Sequence, residues 1–121
     1  MARYTSLYRS GILPVTHLRQ CLSELLESCN FAVIYEDGDY LVARERPGGV
    51  TFSQLVTVEV LFGNPGSMET SSGEDALQMN LVVKNEELPL NTNNHCRQKF
   101  NLVNQVVSSR HGLQLIEGAA Y

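Results

Sequence analysis

Between residues 18 and 62 the spacing of the apolar side chains changes from three and four to two, and a chain carrying both periods has to pack helix against sheet. Leu18, Cys21, Leu22, Leu25, Leu26 and Cys29 fall on one face of a 3.6-residue period, which predicts a helix over 16–29. Thr16, after Pro14, is placed to cap its start, and Asn30, tolerant of the left-handed conformation, to end it. Residues 31–35 and 40–44 then read as two strands joined at Glu36-Asp37-Gly38-Asp39, where Asp37-Gly38 supplies the two positive-φ positions of a type I′ turn.

Pro47-Gly48-Gly49 breaks the chain before a second strand pair. Val56, Val58, Val60 and Phe62 alternate with Leu55, Thr57, Glu59 and Leu61, and Leu77, Met79, Leu81 and Val83 alternate with Gln78, Asn80 and Lys84. One face of each strand is thereby assigned to the core. The segment between them, Gly63 to Asp75, is rich in turn formers and acidic residues, and reads as the mobile tip of a long hairpin within one domain. A last helix opens in Asn91-Thr92-Asn93-Asn94, carries Cys96, Phe100, Val103 and Val107 with Leu102 and Val106, and ends at Arg110-His111-Gly112. Residues 3–12 and 113–116 add extended segments.

The expected fold is therefore α+β: an antiparallel sheet of about five strands with two helices on one face, in the order strand, helix, four strands, helix, with a short C-terminal strand possible. That order resembles one repeat of the TATA-box-binding protein, in which helices cover one face of a curved sheet and leave the other open. It also resembles small type III secretion chaperones. Both likenesses rest on element order and imply no functional residue.

At 121 residues, 43% apolar and 18% charged, the chain is expected to be one domain, monomeric or homodimeric. A net charge of −4 with no run of Lys or Arg speaks against nucleic acid as a partner. The first residues lack the apolar stretch of a signal peptide and no run of about 18 apolar residues exists to span a bilayer, so a cytoplasmic protein without a membrane role is expected. Cys21, Cys29 and Cys96 are odd in number and form no CxxC pair, so no disulfide is assigned.

Four groups of residues bear on chemistry. Cys96 sits in the first turn of the last helix beside His95 and Arg97, where a helix dipole and cations favour a thiolate; it also begins the apolar stripe, where a cysteine is inert packing. His17 and Cys21 lie four apart, but the His and Cys residues as a set lack the spacing of a metal site, so no metal and no cofactor is expected. Glu86 and Glu87 are adjacent carboxylates in the connection Lys84 to Leu90, a candidate acid–base pair or a solvated link. Arg44, Arg46, Lys84, Arg97 and Lys99 fall near element ends and form a candidate cationic patch for an acidic partner or anionic ligand. There is neither a phosphate-binding P-loop nor a GxSxG elbow.

Over nearly its full length the chain resembles a family of small, uncharacterised cyanobacterial proteins, through Leu55-Val56-Thr57-Val58-Glu59-Val60, Val83 to Leu90 and Asn94-His95-Cys96-Arg97-Gln98. The resemblance implies no activity and no site. The leading expectation is a non-catalytic binding or assembly domain, chaperone-like in role, that presents a sheet face or cationic edge to a protein partner. The alternative is a carrier or enzyme for a small apolar ligand, with Phe52, Val58, Met79, Phe100 or Val103 lining a cavity between the sheet and the last helix.

Overall fold

A computed structural model describes residues 1–12, 14–63 and 77–118. The elements run β1 (Ala2–Ser10), α1 (Val15–Ser28), β2 (Phe31–Asp37), β3 (Tyr40–Glu45), a 3-10 turn (Phe52–Gln54), β4 (Thr57–Gly63), β5 (Leu77–Asn85), α2 (His95–Ser108) and β6 (Leu113–Gly118). The class is α+β, as expected. Among the described residues the sheet has six strands where about five were expected, because Leu113–Gly118 pairs with Ser6–Ser10 of β1, with a register shift that leaves Ile116 unpaired. Beyond Gly63, the loop expected over 63–75 lies outside the described residues.

The strands lie in the order β2-β3-β4-β5-β1-β6, all antiparallel, so β2 and β6 are the two edges. β1 is drawn between β5 and β6, with Ser6 opposite Leu81 and Tyr8 opposite both Met79 and Leu115. Period-two patterning does its work across the middle: Leu41 and Ala43, Val58 and Val60, and Leu81 and Val83 are wholly buried on one face. Leu18, Leu22 and Leu26 of α1 and Phe100, Val103 and Val107 of α2 join those residues in a single core cluster, so both helices cover the same face. Each buried leucine of α1 contributes roughly 1.5–3 kcal/mol of transfer free energy. Leu22→Ala, which also opens a cavity, costs more, about 2–5 kcal/mol.

Three local expectations need correction. Helix α1 starts one residue earlier than its apolar stripe implies: Pro14 is the N-cap, and its carbonyl accepts from His17 N and Leu18 N, while Thr16 lies exposed in the first turn. At the other end Asn30 does take the left-handed conformation, φ 73°. In the β2–β3 hairpin Asp37 pairs with Tyr40, so the two-residue turn is Gly38-Asp39, and Gly38 alone has positive φ, 47°. That is the arrangement of a type II′ turn with glycine first, instead of type I′. Leu102 is exposed, because two residues from Phe100 is 200° around the helix, away from the core. Among the described residues no helix is long and apolar enough to cross a membrane.

Candidate functional site

The uncovered face of the sheet begins at an irregularity. Opposite β3, β2 loses register between Val33 and Tyr35, leaving Ile34 as an extra, bulged residue. Beyond the bulge Tyr35 pairs with Val42, and its ring lies 5.8 Å from that of Tyr40, centroid to centroid. Ile34 lies in the same groove as Ala32 and Arg44, so the bulge turns two consecutive apolar side chains onto one face. Ile34 is 61% exposed and Tyr35 50%.

The 3-10 turn finishes this surface. Thr51 and Gln54 form a reciprocal capping box, and the turn they hold projects Phe52 into solvent at 79% exposure. Between Phe52 and the sheet runs a groove of about 420 Å³, walled by Ala32, Ile34, Pro47, Phe52 and Leu55, with Arg44 and Arg46 along it. A smaller recess of about 250 Å³ shares Arg44, Phe52 and Leu55 and continues toward Thr57 and Lys84.

The strand register explains why cations gather here. Arg44 lies opposite Thr57, Thr57 opposite Lys84 and Lys84 opposite Arg3, one straight row across β3, β4, β5 and β1. Lys84 pairs with Glu59 at 2.8 Å, a half-exposed bridge worth little to stability. Arg44 and Arg3 have no ion-pair partner among the described residues. Of the five cations singled out in the sequence, then, Arg44, Arg46 and Lys84 share this end of the open face. Arg97 and Lys99 do not: they lie on α2, Arg97 5.2 Å over the Tyr4 ring and Lys99 5.8 Å over the Phe31 ring. Arg3 was not singled out, since only the pairing of β1 with β5 reveals it.

The start of α2 is a second polar cluster, structural in its geometry. Glu45, buried at the end of β3, accepts from Val56 N at 3.0 Å, meets His95 Nε2 at 2.9 and 3.1 Å, and has Lys99 Nζ at 3.7 Å. Glu87 reaches the helix from the preceding connection and accepts from the backbone N–H groups of Cys96 (3.0 Å) and His95 (3.4 Å), from Asn85 Nδ2 (2.8 Å) and from Gln54 Nε2 (3.4 Å). Burial raises the Glu87 pKa, but the four hydrogen bonds outweigh it and the net shift is downward. Its neighbour Glu86 is exposed, so the two carboxylates do not converge.

Cys96 is fully buried and its Sγ is directed at the carbonyls of Val83 (3.5 Å) and Ala2 (3.8 Å). Burial, with Glu87 and Glu45 nearby, pushes its pKa up to about 12, against the lowering that the helix dipole and cations would give. Cys21 is raised in the same direction, first by burial, and Cys29 is buried too. His17 is exposed while Cys21 faces the core, and among the described residues no group of three or more His, Cys, Asp or Glu could hold a metal ion. Val58, Met79, Phe100 and Val103, expected to line a ligand cavity, are wholly buried in the core cluster, whereas Phe52 lies outside it on the other side of the sheet.

No protein-family model matches this chain, and no curated protein and no solved structure matches it either.

Proposed function

We propose that this is a non-catalytic binding domain whose open sheet face seats a protein partner in the cytoplasm. The observation that carries the reading is the bulge at Ile34, which places Ile34 and Tyr35 together on the uncovered face beside exposed Phe52. A soluble domain has no folding reason to expose such a contiguous apolar patch, and patches rimmed by charge are characteristic of interaction sites. The row Arg44, Lys84, Arg3 at its border favours an acidic partner, which it would steer and orient more than it would hold. Aromatic and arginine side chains are also the residue types that dominate interface energetics.

Affinity capture from native lysate tests this, with wild-type bait beside Ile34→Asp and a control, Gln105→Asp, on exposed α2. A partner retained by wild type and control but lost by Ile34→Asp supports the reading; equal retention by all three removes it. A second reading has one observation in its favour: the groove of about 420 Å³ is within the size range of small-ligand sites. It predicts that an apolar carboxylate, such as a medium-chain fatty acid, perturbs the amide resonances of Ala32 and Leu55 at micromolar concentration.

A further inference from the structure

Strand β2 is an edge of the sheet, so one side of its backbone has no strand neighbour among the described residues. Proteins usually protect such an edge with lysine, proline or an inward-pointing charge. β2 reads Phe-Ala-Val-Ile-Tyr before its two acids and holds neither lysine nor proline; the bulge at Ile34 is its one interruption, and its middle residues, Ile34 and Tyr35, are exposed. The edge is also electrically bipolar. Asp37 and Asp39 are exposed at the hairpin end; at the other end Arg44 lies opposite Ala32, and Arg46, 3.9 Å from Glu27 in a half-exposed pair, is exposed beside it.

We propose that β2 pairs antiparallel with β2 of a second copy of this chain, each copy setting its Asp37 and Asp39 against the other's Arg44 and Arg46. A two-fold axis through the strand centre is the only arrangement that satisfies both ends at once; parallel pairing would put acid on acid and base on base. The same axis brings Ile34 and Tyr35 of the two copies together at the middle, and the groove under Phe52 lies alongside to take the incoming tyrosine. Arg44 is one strand in from the edge, so it reaches across about two strand spacings, roughly 9.5 Å. An extended arginine and an aspartate close that gap from opposite sides. The bulge interrupts the regular ladder, so side chains carry much of the contact and the dimer belongs to the weaker, transient class. The pairing uses the same Ile34, Tyr35 and Arg44 surface as the protein-partner reading and would compete with such a partner there. Sedimentation of the purified chain tests the pairing with no other protein present, so either can fail while the other stands.

Sedimentation of the purified full chain over a concentration series at low salt tests it, using wild type, Asp37→Arg with Asp39→Arg, and Arg44→Asp with Arg46→Asp. Wild type is expected to dimerise, more weakly as salt screens the contacts. Each double variant alone is expected to raise the dissociation constant at least about ten-fold through like-charge repulsion. An equimolar mixture of the two variants is expected to dimerise again, since both interfaces of the mixed dimer then join opposite charges. Wild type that stays monomeric to about 1 mM, where association would be weaker than about −4 kcal/mol, overturns the proposal. So do variants that dimerise as wild type does, or a mixture that does not recover. Hydrogen exchange of wild type alone requires no variant to fold: amide protection over residues 32–36 must rise with concentration, and constant protection rejects the edge pairing.

Discussion

Glu87 Oε1 accepts the backbone N–H of Cys96 at 3.0 Å, so a carboxylate from the preceding connection closes the open end of α2 while Asn94 closes it from within, accepting Arg97 N at 2.8 Å. Two acceptors on the first turn leave fewer orphan donors than one capping side chain would, and the negative charge lies where the helix dipole favours it. Glu87→Ala is expected to cost about 1–2 kcal/mol in denaturant unfolding. Because the folded-state pKa is lowered, this stabilisation is complete above the ordinary value of 4.5 and is lost as pH falls below it through the folded value. Glu87→Gln should flatten that acid limb; an unchanged limb would show that other carboxylates produce it.

A buried tyrosine and a buried thiol set the alkaline limit. Burial raises Tyr8 to about 12, against a lowering hydrogen bond with Ser6, and raises Cys96 to about 12. Folded pKa values above the unfolded ones mean that stability is full below pH 9–10, the unfolded values, and falls as pH rises toward 12. Tyr8→Phe and Cys96→Ala should each make the decline between these values shallower. In the native protein at neutral pH, iodoacetamide should modify Cys96 no faster than Cys21 or Cys29; preferential labelling of Cys96 would restore the case for a reactive thiol.

Asn104 organises the only buried polar cluster described between α2 and β1. Its Oδ1 accepts from Tyr8 Oη at 2.5 Å and from Ser6 Oγ at 2.8 Å, and its Nδ2 donates to Phe100 O at 2.8 Å. Asn104→Ala strands the Ser6 hydroxyl and leaves Tyr8 Oη only the residue-104 carbonyl at 3.4 Å, and should cost roughly 1–3 kcal/mol, whereas Tyr8→Phe leaves Ser6 on the same acceptor and should cost about 1 kcal/mol. A double-mutant cycle on Tyr8 and Asn104 should then return a positive coupling energy; additive losses would mean that the hydrogen bond contributes nothing net.

What could be read from the residues divides along the range of the forces involved. The stripe from Leu18 to Cys29, the left-handed Asn30 and the alternation through Val56 to Phe62 depend on neighbours a few positions away, and local spacing reveals them. The bulge at Ile34 depends on how β2 meets β3, the burial of Glu45 on a histidine fifty residues later, and the cationic row on Arg3 lying beside Lys84. None of these leaves a local mark. Asn104 was hidden for a related reason: a polar residue on an apolar stripe reads as an interruption until Tyr8 and Ser6 are brought to it. Leu102 and Phe52 show the converse, apolar residues that a hydrophobicity pattern assigns to the core but that geometry turns outward.

The claim that the uncovered sheet face is the working surface is tested most directly by a photo-reactive amino acid placed at Ile34, at Phe52 and, as control, at Gln105, with irradiation in the cells that make the protein. The account predicts an adduct of the same partner from positions 34 and 52, weakened by Arg44→Glu and absent from 105. Adducts from 105 alone, or none from either face position, would contradict it.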